Sequence, residues 1–258
     1  MDKIEKSMNV IIPSTEMRAK PTENSQLETE CLFGETIHIK EEYLDWVYCK
    51  LLTDNYFGWV KKNTIGKINK ATHRVHVIRS FILKSNNEKS KSLNYLPMGS
   101  KLSVKKIKSG WAEVYLSDKD VFKVGFVPSS HITNLNTKIK DWVTKAEQCK
   151  EIPYKWGGRD TLGIDCSALL QLSYENHGIA IPRNTSEQIN FFKNEIKNEN
   201  KLKRGDLIFW KGHVGIMIDK VNCIHANAFH MKTLVEPLSI IKLRMKKKFK
   251  ILKIFNPS

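Results

Sequence analysis

The sequence predicts an α+β protein of 258 residues, in which two small β-barrels precede a mixed domain of helices and strands. Three observations support this class. The first half repeats a pattern of short strands, a segment with helical periodicity near residue 138 ends that pattern, and helical and apolar strand segments follow it. The predicted domains therefore span residues 1–68, 69–136 and 137–258.

The duplication in the first half is carried by glycine, tryptophan and valine positions. Four residues of the first copy recur 65 residues later or, after a two-residue insertion, 67 residues later: Gly34 with Gly99, Trp46 with Trp111, Gly58 with Gly125 and Val60 with Val127. Apolar and polar residues alternate in segments 36–40 and 102–105, as in strands with one buried face. Closely spaced short strands in copies of this length predict two small barrels.

Each copy closes on a strand-like segment with an aromatic residue, FGWV in the first and VGFV in the second. These endings, each downstream of a tryptophan, resemble bacterial SH3-like (SH3b) domains. The resemblance implies modules that bind wall peptides or shape the cleft of a neighbouring enzyme. Two packing modules without any ligand are the alternative.

The composition indicates a globular protein with a strong positive charge. The net charge of +16 attracts anionic partners such as nucleic acid, lipid, acidic peptides or wall polymers, but a lysine-rich composition is the favoured explanation. The basic segment 242–250 partly alternates with apolar residues, which favours a strand with one wet face over a nucleic-acid tail. We therefore expect no nucleic-acid and no membrane partner, and no obligate protein partner is inferred.

The five cysteines and the N terminus bear on the compartment. Five is an odd number and no C-x-x-C pair is present, so a disulfide framework is not expected in a chain of this length. Neither a signal-peptide core nor a membrane-spanning window is found. We expect a soluble, cytoplasmic protein.

The second half begins with a predicted amphipathic helix over residues 138–150 and then reaches the stretch GIDCSALLQLSYENHG. The run after Cys166 favours a helix that ends at Gly178, with Asp165 as its N-cap. Cys166 would then lie in the first turn, where unpaired N–H groups favour a thiolate. A buried core thiol is the alternative interpretation.

A base for this thiol is predicted on a β-hairpin. Segment 213–218 and segment 223–227 both have the pattern of strands, and each carries a histidine, His213 and His225. If the strands pair, the two imidazoles lie side by side. His225 can then accept from or donate to the far ring nitrogen of His213, which orients a Cys–His pair.

The ordered motifs PYKWGG, GIDCSALL, GIAIPRNTSEQ, RGDLIFW, HVGIMI and IHAN resemble the NlpC-type cysteine peptidases, which have a papain-like fold. The resemblance implies Cys166 as nucleophile, His213 as base and His225 as the orienting residue. It also implies that a further set contacts the substrate: Tyr154, Asp165, Ser167 and Ser186, with Thr185 as the alternative to Ser186. Ile164 and Ala168 depart from the family's usual aromatic and glycine, which affects packing more than chemistry.

Two SH3b modules followed by such a domain resemble the γ-D-glutamyl-L-diamino acid endopeptidases of the dipeptidyl-peptidase VI type. The resemblance implies cleavage of the γ-D-Glu–diaminopimelate bond in murein tri- or tetrapeptides with a free N-terminal L-Ala. Without an export signal, released peptides and not intact wall are accessible, so we expect a role in cell-wall peptide recycling. No cofactor is expected. The first module would help bind the free amine, with Glu35 and Tyr56 as candidates beside Asp165.

Several alternatives remain open. Cys166, His213, Cys223 and His225 are conceivable metal ligands, although no pair has C-x-x-C spacing. The domain could be an inactive binding module, or an amidase or acyltransferase on the same frame. Arg159 and Arg183 are candidate contacts for the carboxylates of a substrate, and turn or packing roles are the alternatives for Glu35 and Tyr56.

Overall fold

A computed structural model describes residues 6–245 and 250–257. The chain divides into two compact units between Thr137 and Lys138. From residue 6 onward the first unit is built of strands and short 3₁₀ turns, and the second unit combines helices with a sheet. The α+β class predicted from the sequence is confirmed, as is the β-rich first half.

The first seven strands form one antiparallel sheet with the order β3-β2-β6-β5-β4-β1-β7. Their bounds are Lys6–Val10 (β1), Ser14–Arg18 (β2), Leu27–Leu32 (β3), Thr36–Tyr43 (β4), Trp46–Leu51 (β5), Phe57–Lys61 (β6) and Ile65–Gly66 (β7). The alternation predicted for segment 36–40 is present, because Ile37 and Ile39 are buried in the barrel core while Thr36, His38 and Lys40 are more exposed.

The next seven strands repeat this arrangement with the order β10-β9-β13-β12-β11-β8-β14. They are His73–Val75 (β8), Arg79–Leu83 (β9), Ser92–Pro97 (β10), Lys101–Lys108 (β11), Trp111–Tyr115 (β12), Val124–Pro128 (β13) and Ile132–Asn134 (β14). Each strand occupies the place of the strand seven positions earlier. Gly34 and Gly99, which precede β4 and β11, both have positive φ, of 77° and 93°. The sequence repeat is therefore a repeat of structure.

The second unit is built on a five-stranded antiparallel sheet with the order β20-β19-β18-β17-β21. The sheet strands are Leu207–Trp210 (β17), His213–Met217 (β18), Asn222–Asn227 (β19), Lys232–Pro237 (β20) and Ile251–Phe255 (β21), and Arg159–Asp160 (β15) pairs with Gly163–Ile164 (β16). The helices are Val143–Gln148 (α1), Cys166–Asn176 (α2), Thr185–Phe191 (α3) and Leu238–Met245 (α4). Nearly every residue of α2 is buried, so this helix lies at the centre of the unit.

Two local predictions were wrong. The helix expected over 138–150 is α1, which begins only at Val143; Trp142 directly before it is buried in the core. The segment expected to be a basic strand is helical up to Met245, and residues 246–249 of that prediction lie outside the described residues. Leu238 and Ile241 anchor this helix because they pack into the core beside Trp210, a contact that local alternation does not reveal.

No helix in the described part of the chain is both long and apolar enough to cross a membrane.

Candidate active site

Cys166 is the first residue of helix α2, as predicted. Asp165 before it has extended backbone angles, and its carboxylate Oδ1 accepts a hydrogen bond of 2.8 Å from the backbone N–H of Ala168. At the other end, Gly178 has a φ of 82°, the left-handed conformation that ends helices. The N-cap and the C-terminal glycine together fix where the helix begins and where the cysteine stands.

Asp165 also holds the surrounding loops together. Its Oδ2 accepts from the Gly157 N–H at 3.0 Å and from the Arg183 guanidinium at 2.6 Å. Its Oδ1 accepts from the Ser167 hydroxyl and from Arg183, both at 3.0 Å. Arg183 in turn donates to the Ser167 oxygen at 2.7 Å. The side chains of Asp165 and Arg183 are only 10% and 1% exposed, so they form a buried ion pair.

These contacts revise the roles predicted for the two arginines. Arg183 is committed to Asp165 and Ser167, and Arg159 is fully buried with Glu175 as a neighbour at 3.8 Å. Neither guanidinium is open to a carboxylate of the substrate. The predictions that Asp165 and Ser167 contact substrate stay predictions, and the structure adds a definite structural role for both.

The loop before the cysteine depends on close backbone packing. A Cβ atom on Gly158 would lie 2.3 Å from the carbonyl oxygen of Gly163, well inside van der Waals contact. Tyr154 forms an isolated β-bridge with Ile164, which lies just before the cysteine. Burial raises the pKa of the Tyr154 phenol, and the charges of Cys166 and Asp165 raise it further. The Tyr154 phenol is therefore neutral, and its proposed contact with substrate stays a prediction.

The sulfur of Cys166 lies against the backbone N–H of Val214, the residue directly after His213. Burial and the charge of Asp165 raise the pKa of the Cys166 thiol to about 12, although the N–H groups of Val214 and Ser167 and the charge of Arg183 favour the thiolate. The expectation of a lowered thiol pKa is wrong for the ligand-free protein. Burial outweighs the helix N terminus, so the resting sulfur keeps its proton.

His213 and His225 meet across the hairpin of β18 and β19. Ile216 pairs with Ile224, and the same register places His225 opposite Gly215, one side-chain step from His213 on the same face. His213 Nε2 lies 2.7 Å from His225 Nδ1, and the ring centroids are 5.0 Å apart. The predicted contact between the two imidazoles is present.

The pKa of His213 is lowered to about 3 by burial and by the charges of His225 and Arg244. The imidazole is therefore neutral at physiological pH and able to take a proton. With Nε2 engaged by His225, Nδ1 is the ring nitrogen left for the thiol. A neutral thiol against the N–H of Val214 and a neutral, oriented imidazole on the preceding residue are the groups required for nucleophilic attack on an acyl carbon with proton transfer to a base.

The sequence did not point to the polar residues beyond His225. The Nε2 atom of His225 lies 2.7 Å from Oε1 of Glu236 on β20 and 3.2 Å from the amide Nδ2 of Asn227. Arg244 of α4 contacts both carboxylate oxygens of Glu236. A glutamate 11 residues and an arginine 19 residues after a histidine form no known spacing motif, and the sequence pattern around Arg244 predicts a strand.

The remaining candidates lie elsewhere. Ser186 is exposed in the first turn of α3, and Thr185 begins that helix. In the first unit, the carboxylate of Glu35 is fully buried and accepts from the Leu32 N–H at 2.8 Å and the Thr53 hydroxyl at 2.7 Å. Tyr56 donates to Glu28 at 2.8 Å and packs on the core of the first barrel. The substrate roles of Ser186, Glu35 and Tyr56 stay predictions.

Cys223, a candidate metal ligand, is fully buried, and its sulfur would meet a Cβ on Gly215 at 2.4 Å. Within residues 6–245 and 250–257, no group of three or more His, Cys, Asp or Glu side chains is arranged to hold a metal ion. All five cysteines fall in this part of the chain, and none of them forms a disulfide.

Comparison with known proteins agrees with this geometry. Residues 151–244 match the NlpC/P60 family, and residues 17–65 match the bacterial dipeptidyl-peptidase SH3 domain. The chain is 27% identical over 242 residues to Dipeptidyl-peptidase 6 of Lysinibacillus sphaericus, covering 84% of this chain and 86% of that protein. It is 26% identical over 223 residues to the Gamma-D-glutamyl-L-lysine dipeptidyl-peptidase of Bacillus subtilis, covering 78% and 72%.

A crystal structure of an NlpC/P60 family protein from Bacillus cereus has the same fold. The TM-score is 0.83 at 18% identity, over 98% of this chain and 99% of that one.

Proposed function

The C-terminal domain belongs to the NlpC/P60 family of cysteine peptidases, and we propose that this enzyme hydrolyses the γ-D-Glu–L-diamino acid bond of murein peptides that begin with a free L-Ala. Two dipeptidyl-peptidases that match most of the chain, together with the dipeptidyl-peptidase SH3 domain at residues 17–65, support this substrate class. The diamino acid is diaminopimelate or lysine.

One observation carries the peptidase chemistry. The Cys166 sulfur lies against the N–H of Val214, the residue that follows His213, and Nε2 of His213 lies 2.7 Å from His225 Nδ1. A helix start and a hairpin that are far apart in sequence thus supply the three groups, and this arrangement supports the proposed roles of Cys166 as nucleophile, His213 as base and His225 as orienting residue.

The reaction follows from these positions. As the sulfur attacks the carbonyl carbon of the γ-glutamyl bond, its proton passes to His213 Nδ1, because the resting thiol is neutral. The tetrahedral oxyanion collapses, the C–N bond breaks, and the departing amine takes that proton. Water then attacks the thioester and gives a proton to His213, which returns it to the leaving sulfur. The backbone N–H of Cys166, in the first turn of α2, is available to the oxyanion.

We also propose that the enzyme works in the cytoplasm on released peptides. The absence of disulfides among its five cysteines fits a reducing compartment. A free L-Ala amine arises only after an amidase has removed the sugar, which fits recycling of murein peptides more than cleavage of intact wall.

The test is hydrolysis of L-Ala-γ-D-Glu-diaminopimelate, of its lysine counterpart, and of both peptides with an acetylated N terminus. We expect release of the diamino acid from at least one free peptide and loss of turnover on acetylation. Cys166→Ala is the matched control and should abolish product formation. Turnover that survives Cys166→Ala contradicts the mechanism, and equal rates on free and acetylated peptides contradict the amine requirement.

A further inference from the structure

The hydrogen-bonded chain that starts at His213 continues past His225 to an acidic and a basic side chain. His225 lies opposite Leu234 in the β19–β20 pair, so Glu236, two residues further along β20, is its diagonal neighbour on the same face. Arg244 reaches this carboxylate from α4, with Nη1 3.0 Å from Oε2 and Nη2 in contact with Oε1. The side chains of His225 and Glu236 are 2% and 10% exposed.

The carboxylate dictates where the protons of the two imidazoles sit. Burial by itself would raise the pKa of Glu236, but the hydrogen bonds from His225 and Arg244 outweigh burial and hold it at about 2. An ionised carboxylate only accepts, so His225 Nε2 carries the proton. His225 Nδ1 then accepts from the Nε2–H of His213, and His213 Nδ1 keeps the lone pair that a base requires.

A second neighbour of His225 Nε2, Asn227, favours the opposite tautomers of the two imidazoles. The Asn227 Nδ2, a donor, lies 3.2 Å from the same His225 Nε2. The orientation of this amide is fixed, because Asn227 Oδ1 accepts from the backbone N–H of His230 at 2.8 Å. An amide that donated to Nε2 would move the His225 proton to Nδ1 and the His213 proton to the nitrogen facing the thiol. Glu236 prevails because its bond is shorter and charge-assisted.

We propose that Glu236, anchored by Arg244, is the positioning residue that keeps His213 in the tautomer able to accept the proton of Cys166. This inference rests on the proposed function for its kinetic consequences, but the proton arrangement exists without substrate. Glu236 touches neither the sulfur nor a substrate atom; it acts through His225.

The charges around the relay give the proposal a pH signature. Glu236 raises the pKa of His213 and Arg244 lowers it, so removing either charge should move the His213 titration in a known direction. Other titratable groups face the site as well. His230 Nε2 lies 3.7 Å from Oε2 of Glu236, and the charge of Glu236 also acts on the thiol of Cys223. Asp165, Arg183 and Tyr154 interact electrostatically with the sulfur of Cys166.

The decisive experiment is ¹⁵N NMR of the histidine side chains in the intact, ligand-free protein. The wild type should show Nε2–H on both His213 and His225. Glu236→Met removes the acceptor and leaves Asn227 as the polar neighbour, so both rings should switch to Nδ1–H. Glu236→Gln is the matched control: Arg244 holds its amide oxygen towards His225, and the original tautomers should persist.

Kinetics on the murein peptide provide the second measurement. Glu236→Met should lower kcat by on the order of 10²-fold with KM little changed, the effect of losing a competent base. Glu236→Gln should recover most of that loss, and Asn227→Ala in the Glu236→Met background should recover part of it by removing the competing donor.

The third measurement is the pH profile. Arg244→Met should raise the pKa of His213 and move the acid limb of kcat/KM to higher pH, whereas Glu236→Gln should move both to lower pH. A merely structural role would lower stability without opposite shifts. Wild-type Nδ1–H tautomers, or Glu236→Met with unchanged tautomers and kcat, would overturn the proposal. Failure of the wild type to cleave the peptide would reject the proposed function alone, since the NMR requires no substrate.

Discussion

The buried pair of Asp165 and Arg183 offers the sharpest test of how this site is held together. Asp165→Ala deletes the N-cap of α2, which costs about 1 kcal/mol. It also leaves the Arg183 guanidinium, 1% exposed, without the partner that lies 2.6 Å from it. Breaking a buried pair from one side costs about 3–5 kcal/mol. The expected sum of about 4–6 kcal/mol is comparable with the whole stability of a small domain.

The double variant Asp165→Ala/Arg183→Met separates the two contributions. Removing both partners of a buried ion pair is often close to neutral, so about 1 kcal/mol, the cap, should remain. Asp165→Asn should lie between the two, because its amide oxygen can still accept from the Ala168 N–H while the charge is lost.

Hydrogen exchange of the α2 amides in the intact chain measures these differences locally, which matters in a protein of two units. Asp165→Ala should reduce protection of this helix about a thousandfold or more, since each 1.4 kcal/mol is a factor of ten. In the double variant, the hydrogen-exchange protection of this helix should fall only about fivefold. If Asp165→Ala lowers the stability of α2 by less than about 1 kcal/mol, or if Asp165→Ala/Arg183→Met is as unstable as Asp165→Ala, then Asp165 does not hold this site together.

Two further substitutions test contacts elsewhere. Glu35→Ala removes the carboxylate that accepts from the Leu32 N–H at 2.8 Å, so we expect a loss of about 1–3 kcal/mol in the stability of the first barrel, measured by hydrogen exchange. A higher KM for the free-amine peptide with intact stability would instead support a direct amine-binding role of Glu35. Gly215→Ala places a Cβ 2.4 Å from the Cys223 sulfur and should cost about 1–3 kcal/mol in chemical denaturation. Adding Cys223→Ala should restore most of it, and no recovery would mean that the sulfur is not the obstacle.

Part of the site was predictable because its signals are local. Asp165 as N-cap, Cys166 in the first turn and Gly178 past the end follow from residue types at fixed offsets, and the helix has those limits. The two strands that carry His213 and His225 were likewise predicted from short apolar runs around a turn. The resemblance to NlpC-type peptidases and SH3b domains, drawn from the ordered motifs, is confirmed by the family matches.

Other predictions failed because the deciding interaction is not local. Segment 238–245 is a helix since Leu238 and Ile241 pack beside Trp210, although its charges alternate like those of a strand. The thiol of Cys166 has a raised pKa because burial is a sum over every group packed around the sulfur, which the helix N terminus alone does not indicate.

By itself, the sequence determined the duplicated barrels, the helix that presents the cysteine and the hairpin that presents two imidazoles, because each rests on periodicity or capping within a few residues. Only the tertiary structure decided which ring nitrogen carries the proton. That choice depends on Glu236 from β20 and Asn227 from β19, which both contact the His225 imidazole, and on Arg244 from α4, which holds Glu236. The position of the proton follows the nearest acceptor in space, which strand register and helix packing supply.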